Sequence, residues 1–176
     1  MASDFATSRD VHAAGSDEIR IGLVGCGGRG AGAAFQALTA DPQTRLVAVA
    51  DAFPDRMISS LSALSSKDDI SKQVTVDADH QFVGFDGYRH VIESDVDVVL
   101  LATPPHFRPI HLRAAVEAGK HVFVEKPVAV DGPGIRSVIE SGEMARKKPL
   151  CSVWSQRTIL PTVPRNDAAN PRRRDW

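Results

Sequence analysis

The sequence predicts an α/β protein with a doubly wound parallel sheet, in which helices cover both faces of the strands. Short apolar segments rich in β-branched residues alternate with amphipathic segments along the 176-residue chain, and the connections between them are short. The apolar segments are nearly continuous, which is typical of strands that are buried on both faces. Strands that alternate with helices in this way form a parallel sheet joined by right-handed crossovers.

Five apolar segments are predicted as strands. The run V-D-V-V-L-L-A at 96–102 is a strong buried strand. One further strand is expected in the polar region after the second helix, either at 74–76 or near Phe82 and Val83, and the pattern leaves the two positions open. The five predicted strands are 19–25, 45–50, 96–102, 121–124 and 150–154.

Five other segments are predicted as helices, chiefly because their apolar residues recur at helical spacing. Asp41-Pro42 ends the first helix and Gly119 ends the fourth, because proline cannot continue a helix and glycine suits a helix cap. The predicted helices are 31–40, 53–66, 86–94, 107–118 and 131–147.

The two ends of the chain lack this pattern. Residues 1–18 are small and polar with no apolar stretch, so we expect a disordered arm rather than a signal peptide, and a cytoplasmic protein. Residues 155–176 contain three prolines and the arginine run 172–174, and are interpreted as an unstructured, solvated tail. The predicted organisation is therefore an arm (1–18), one domain (19–154) and a tail (155–176).

Composition excludes several classes of partner. Lys and Arg number 21 against 22 Asp and Glu, and a net charge of −1 gives no attraction to nucleic acid or anionic lipid. No apolar run reaches the roughly 18 residues of a membrane span. Two cysteines cannot form a disulfide framework or a paired zinc motif, and the six histidines lack metal-binding spacing, so no metal site is expected.

The most informative motif is G-C-G-G-R-G at residues 25–30, which matches G-x-G-x-x-G between a predicted strand and a helix. In that context Gly25 permits a tight turn, Gly27 lets a pyrophosphate approach the backbone, and Gly30 allows close packing of helix on strand. The helix N-terminus offers free amides and partial positive charge to phosphates. The alternative is a simple glycine-rich turn.

Asp51 supports the nucleotide interpretation. It ends the second predicted strand, where an acidic side chain accepts hydrogen bonds from a ribose hydroxyl and repels a 2′-phosphate. NAD is therefore favoured over NADP, although Arg56 lies close enough in sequence to weaken that preference. Asp51 has an alternative role as a helix cap, and an S-adenosylmethionine site remains open because it has a similar pattern. A Walker A loop is excluded because Ala31 follows the last glycine.

Two further motifs follow predicted strands. Thr103-Pro104-Pro105 comes after the strand at 96–102, and Glu125-Lys126-Pro127 comes after the strand at 121–124. Ligands bind at this end of an open α/β sheet, and a lysine held there can serve as a proton donor or a charge on the substrate. Ordinary loop chemistry and a surface salt bridge are the alternatives to these roles. Cys26 lies in the glycine turn, where a helix N-terminus can lower the pKa of a thiol, but we interpret it as an ordinary variable position of the motif without a reactive role.

Together these motifs closely resemble the Gfo/Idh/MocA oxidoreductases, the relatives of glucose–fructose oxidoreductase and inositol dehydrogenase. The resemblance runs from 19 to 153, and E-A-G-K-H-V-F-V-E-K-P at 117–127 is its most specific part. It implies a Rossmann domain that binds NAD or NADP, with Lys126 as the active-site lysine and Glu125 near the nicotinamide ribose. The implied cofactor contacts are Gly25, Gly27, Gly28, Arg29, Gly30, Asp51, Thr103, Pro104, Pro105 and Glu125.

The sequence departs from the family pattern after Trp154. Family members continue into a second α/β domain that binds substrate, whereas only the tail follows here, so the resemblance implies a cofactor domain without its substrate domain, as in a truncated or frameshifted product. Some relatives carry a twin-arginine export signal, but Arg9 stands alone.

Three functions remain as hypotheses. They are an NAD(P)-dependent oxidoreductase acting on a sugar, cyclitol or related hydroxyl substrate, a non-catalytic nucleotide-binding remnant, and an S-adenosylmethionine-dependent methyltransferase. The expected partners are a dinucleotide cofactor and, if a second domain is supplied, a small polyol or sugar.

Overall fold

The computed structural model describes residues 18–147 and 153–154. The predicted N-terminal arm up to residue 17, the first part of the last strand and the predicted tail lie outside the described residues. The predictions for those segments therefore stay predictions.

The described residues form one parallel sheet with the strand order β3-β2-β1-β4-β5-β6, which confirms the doubly wound α/β class. Strand order reverses between β1 and β4, and in such sheets a crevice opens at that point beyond the carboxyl ends of the strands. The strands are β1 (Ile19–Val24), β2 (Thr44–Asp51), β3 (Gln81–Val83), β4 (Val98–Leu101), β5 (His121–Val124) and β6 (Val153–Trp154).

Five helices connect the strands, close to the predicted positions. The main difference lies in the first, which begins at Gly28 rather than at residue 31, so that the second half of the glycine motif is already helical. Asp131 caps the last helix by accepting a hydrogen bond from the amide of Gly134 at 2.7 Å. The helices are α1 (Gly28–Ala40), α2 (Pro54–Ser65), α3 (Gly87–Glu93), α4 (Arg108–Glu117) and α5 (Gly132–Arg146).

The strand left open by the sequence is β3, at residues 81–83. Val74 forms only an isolated bridge to Leu46 on β2. Between them the chain makes two short 3₁₀ turns, Ser71–Gln73 and Ala78–His80. The third strand is therefore short and lies at the edge of the sheet, next to β2.

Two apolar clusters pack on opposite faces of the sheet. On β1, Ile21 and Leu23 belong to the cluster beneath α1 and α2, whereas Val24 belongs to the cluster beneath α3, α4 and α5. This alternation explains the apolar sequence of the second half of β1, residues 21–24, because a strand covered on both faces buries successive side chains.

Gly22 on β1 marks a close approach of α3 to the sheet. A Cβ built on Gly22 would lie 2.5 Å from Cγ1 of Val91 and 3.2 Å from Cγ1 of Val96. Both valines are buried and β-branched, so they have little rotamer freedom with which to move aside.

We predict that Gly22→Ala lowers the free energy of unfolding by about 1–3 kcal/mol because the added methyl overpacks the core. The matched control is Gly142→Ala in α5, where a Cβ meets nothing within 4 Å. Alanine there raises helix propensity, so stability should rise by up to about 1 kcal/mol. Urea unfolding of both variants checks this, and equal effects of the two changes would contradict it.

Candidate functional site

A cleft of about 630 Å³ opens at the switch point of the sheet. The loops that follow β1, β2 and β4 form one side of it, and residues of α3 and α4 form the other. Its lining is largely apolar, which is typical of a small-molecule site. The lining residues are Val24, Gly25, Gly27, Ala50, Asp51, Ala52, Phe53, Arg56, Gly84, Phe85, Tyr88, Ala102, Thr103, Pro104, Phe107, Arg108 and His111.

Two glycines of the motif are required by backbone packing. Gly25 has φ +95°, and a Cβ there would lie 2.7 Å from the amide nitrogen of Thr103. A Cβ on Gly30 would lie 1.8 Å from the carbonyl oxygen of Gly25. The glycines thus let α1 start directly against the end of β1 and beside the turn after β4, as the motif predicts.

The other two glycines border open space. A Cβ on Gly27 or on Gly28 would meet nothing within 4 Å, so there is open space beside the backbone at both positions, and Gly27 lines the cleft. In the first turn of an α-helix the amides have no partner within the helix, and here that turn contains Arg29 and no acidic side chain. This cradle fits an anionic group such as a diphosphate.

Cys26 belongs to the apolar cluster beneath α1 and α2. Its side chain is buried, with 3% of its surface exposed, and its Sγ lies 3.5 Å from the carbonyl oxygen of Ala50. Burial, reinforced by the neighbouring carboxylate of Asp51, raises the pKa of the Cys26 thiol to about 12. The helix N-terminus therefore does not lower this pKa, and a buried thiol that stays protonated agrees with the interpretation of Cys26 as an unreactive position.

Asp51 joins two of the loops that border the cleft. Its carboxylate accepts a hydrogen bond from the amide of Cys26 at 2.6 Å and another from the amide of Phe53 at 3.0 Å. Phe53 is the N-cap residue of α2, so Asp51 bonds to the residue before the helix and not to its first-turn amides. Asp51 and Arg56 both line the cleft.

The turn after β4 is held by a residue that the sequence did not single out. Arg108, only 5% exposed, donates from Nε to the carbonyl oxygen of Thr103 at 2.6 Å. Its NH1 group donates to the carbonyl oxygens of Glu125 and Pro127 at 2.7 and 2.5 Å. Burial lowers the pKa of Arg108. Thr103 and Pro104 line the cleft.

Glu125 and Lys126 follow β5, on the far side of the turn after β4. The Glu125 side chain is nearly inaccessible and pairs with the guanidinium of Arg29 at 2.5 Å. That hydrogen bond holds the pKa of the Glu125 carboxyl below its usual value. Lys126 is exposed, and the Lys126–Pro127 peptide bond is cis. Neither residue lines the cleft. The predicted site residues after β5 therefore lie at the same edge of the sheet as those after β1, β2 and β4, but they are not part of the same cavity.

His111 is a further cleft residue that spacing alone did not reveal. Its ring stacks on Tyr88 with centroids 4.2 Å apart, and its Nδ1 lies 3.2 Å from Oγ1 of Thr103. It is 6% exposed, and burial lowers its pKa to about 4. His111 is therefore neutral at pH 7.

Among residues 18–147 and 153–154, no group of three or more His, Cys, Asp or Glu side chains is arranged to hold a metal ion. Within the same part of the chain, no helix is both long and apolar enough to span a membrane.

Comparison with protein families agrees with the geometry. A family model described as an oxidoreductase family with an NAD-binding Rossmann fold, GFO_IDH_MocA, matches residues 19–154. The chain belongs to the Gfo/Idh/MocA family. This family binds NAD(P), and solved Gfo/Idh/MocA proteins that are similar to the chain contain NADH or NADP.

Three relatives illustrate the range of the Gfo/Idh/MocA family. A glycosyl hydrolase family 109 protein from Bacteroides fragilis is 30% identical over 132 residues, which are 74% of this chain and 27% of the relative. A 3-ketoreductase from Actinomadura kijaniata solved with NADP is 27% identical with a TM-score of 0.57, covering 79% of this chain and 38% of that one. A scyllo-inositol dehydrogenase from Lactobacillus casei, solved with NAD(H) and scyllo-inositol, is 20% identical with a TM-score of 0.59, over 79% and 36% of the two chains.

The last likeness establishes the fold only. In all three comparisons the chain spans less than two fifths of the relative's length. The activity and substrates of the longer proteins are therefore a matter of proposal for this chain.

We predict that His111 makes stability fall between pH 6.5 and about 4. The unfolded state takes up a proton near pH 6.5, while the folded state resists it down to about 4, so the unfolded state binds more protons in this window. The free energy of unfolding should fall by up to about 3 kcal/mol as the pH drops through it.

Urea unfolding at several pH values measures this slope. His111→Phe keeps an aromatic ring against Tyr88 but removes the titrating group, so its slope should be shallower than that of the wild type. His90→Gln removes an exposed imidazole and serves as the control. A His111→Phe slope equal to that of the wild type would show that His111 does not cause the loss.

Proposed function

We propose that residues 19–154 form the cofactor-binding domain of an NAD(P)-dependent oxidoreductase. In this proposal hydride moves between the nicotinamide and a carbon that bears a hydroxyl group. The observation that carries it is the open glycine cradle beside Asp51, because a Cβ on Gly27 or Gly28 would meet nothing within 4 Å while Asp51 lines the same cleft. Residues 25–30 would then hold the diphosphate of a dinucleotide, and Asp51 would hold the adenosine ribose next to it.

The glycine loop would bind the diphosphate. The amides of Gly28, Arg29 and Gly30 lie in the first turn of α1, where they have no helical partner and where the helix dipole favours an anion. Gly25 and Gly30 would keep the loop close to β1, and Gly27 would leave room for the phosphates. The Arg29 guanidinium adds a positive charge beside them.

Asp51 would bind the adenosine ribose. Its carboxylate already accepts from two amides, but two carboxylate oxygens provide about four acceptor positions. Ribose hydroxyls can therefore bind without breaking the bonds that hold the loops. A 2′-phosphate would meet the negative charge of Asp51, which favours NAD, while Arg56 on the cleft wall offers NADP a partner.

The turns after β4 and β5 would complete the nicotinamide end. Thr103, Pro104 and Pro105 would border the ring, and Glu125 would contact its ribose. The bound nicotinamide supplies the hydride chemistry. Lys126 is exposed at the same edge of the sheet, so its Nζ would be available to take the proton from a substrate hydroxyl during oxidation or to return it during reduction.

A sugar, a cyclitol or a related polyhydroxyl compound is the proposed substrate class. Support comes from the name of one relative, which is a reductase of a dTDP-linked deoxysugar. That protein is much longer than the range that this chain matches.

The family 109 relatives favour a second candidate, cleavage of a glycosidic bond. Several of them are about 30% identical to this chain, and NAD-dependent glycosidases exist that do not rely on a carboxylate pair. An assay of nitrophenyl glycosides in the presence of NAD distinguishes this candidate from polyol oxidation, which instead produces NADH.

We predict that Gly27→Ala abolishes or strongly weakens NADH binding and leaves the fold intact. The backbone of Gly27 has φ −66°, which suits alanine, and its Cβ would meet no protein atom within 4 Å, so the methyl group would instead occupy the space proposed for the diphosphate. NADH fluorescence titration of the full chain measures the effect.

Gly32→Ala is the matched control, because it lies on α1 and its Cβ also meets nothing within 4 Å. It should bind NADH as the wild type does. If the wild-type chain does not bind NADH, or if both variants bind it equally well, the proposed cradle is wrong.

We predict that Asp51→Asn weakens NADH binding by about tenfold or more, because a charged hydrogen bond to the ribose contributes about 1.5–3 kcal/mol. NADPH binding should weaken less or improve, since the charge that repels the 2′-phosphate is gone. The ratio of the two dissociation constants is the decisive quantity.

Asp55→Asn removes an exposed acid from the first turn of α2 and controls for net charge. An unchanged ratio in Asp51→Asn would place the ribose elsewhere.

A further inference from the structure

Arg108 connects the two turns that the proposed function assigns to the nicotinamide end of the site. It is the first residue of α4. Its Nε bonds to the carbonyl oxygen of Thr103 in the turn after β4, and its NH1 bonds to the carbonyl oxygens of Glu125 and Pro127 in the turn after β5. One side chain therefore fixes the distance between two separate segments of backbone.

The bonds of Arg108 require a guanidinium group. A lysine carries one nitrogen on a flexible stem, whereas the planar guanidinium presents five N–H donors in a rigid fork. Two of its nitrogens are used here on carbonyls that approach from different turns. Lysine would retain the charge but could not reproduce this arrangement.

Arg108 is also costly for the fold. It is 5% exposed, and the acidic group that acts on it, Glu125, is already hydrogen bonded to Arg29. A buried charge that shares its counter-ion destabilises a protein unless hydrogen bonds compensate. By contrast, Arg113 on the same helix is half exposed and pairs with Glu117 and Glu140 at the surface.

We propose that Arg108 is a positioning residue that holds the Glu125-Lys126-Pro127 turn against the Thr103-Pro104 turn, so that the nicotinamide half of the cofactor meets a preformed site. The inference rests on the proposed function, since it takes the two turns to be the nicotinamide end. It goes beyond that function by assigning their spacing to a residue that belongs to neither turn.

The adenosine end provides an internal reference. The glycine loop and Asp51 are joined by the bond from the Cys26 amide, and none of the hydrogen bonds of Arg108 reaches either of them. Loss of Arg108 should therefore affect ligands that extend to the nicotinamide end and spare those that stop at the diphosphate.

The test compares NADH with ADP as ligands of the full chain. In Arg108→Ala the dissociation constant for NADH should rise by about tenfold or more, as expected when charge-assisted hydrogen bonds that shape a site are lost. The dissociation constant for ADP should stay within about twofold of the wild type, which is a difference below 0.5 kcal/mol. Arg113→Ala is the matched control on α4 and should change neither constant.

Chemical rescue separates positioning from general stability. Guanidinium ion at millimolar concentration should restore NADH binding to Arg108→Ala and have no effect on the wild type. Arg108→Lys should bind ADP normally and NADH weakly, which keeps the test available if the alanine variant does not fold.

Each result has a defined meaning. Equal losses of NADH and ADP binding, an unchanged NADH constant, or full NADH binding by Arg108→Lys would overturn the positioning role. Failure of the wild type to bind NADH would instead overturn the proposed function. In that case hydrogen exchange still tests the connection, since Arg108→Lys should exchange faster at 102–106 and 125–130 than Arg113→Ala, and equal rates would refute it.

Discussion

The contact between the carbonyl oxygen of Gly25 and the Cα of Gly30 determines the geometry of the whole site. A side chain at Gly30 would overlap that oxygen, with its Cβ at 1.8 Å, and would force the start of α1 away from β1. Because the two glycines allow direct contact, the first-turn amides of α1 lie at the carboxyl end of the sheet. They lie there beside the turn after β4, where the strand order reverses. The cleft is a consequence of this placement.

Charge is distributed unevenly along the edge of the sheet that carries the proposed cofactor. On the β2 side, Asp51 and Arg56 both line the cleft, so one negative and one positive charge balance there. On the β5 side, Arg29 and Arg108 flank the buried carboxylate of Glu125 and Lys126 is exposed next to it, which leaves two excess positive charges. A ligand with a diphosphate at its centre and neutral riboses on either side matches this order, because the anionic part lies at the helix N-terminus beside Arg29. The β2 side and the β5 side of the site therefore differ in net charge.

Most of the fold was predictable because buried parallel strands have a distinctive sequence. The runs at β1, β4 and β5 are apolar except for Arg20 and His121 near their amino ends, and the sequence places each of them within a few residues. β3 was harder because it is a three-residue edge strand, Gln-Phe-Val, with partly exposed side chains, and so resembles a loop. The sequence predicts that α1 starts at residue 31, because glycines disfavour helices. In the structure α1 starts at Gly28, because Gly30 packs directly against the end of β1.

The sequence motifs identify the residues predicted to bind the cofactor. They do not identify the residues that hold those segments of backbone in place. Gly25, Asp51 and Thr103 stand at strand ends in recognisable patterns. Arg108 carries no such signal, because its three partners are main-chain carbonyls that any sequence provides. One lies five residues before it, and the other two lie 17 and 19 residues after it. The burial of Cys26 was also invisible, since a residue between glycines can point either way until the packing of α1 is known.

The two polar residues buried on α4 show why such positions matter. Arg108 and His111 both lie on the core-facing side of the helix and are 5% and 6% exposed, and both contact Thr103, one at its carbonyl and the other at its hydroxyl. Apolar residues at these positions would avoid the cost of burying two polar groups. They would also leave the Thr103 carbonyl and hydroxyl without these partners, and the turn after β4 would lose its attachment to the helix. The helix α4 thus has polar side chains at two buried positions, and these side chains hold the turn after β4 in place. That turn lies at the switch point, which is where a doubly wound sheet binds its ligand.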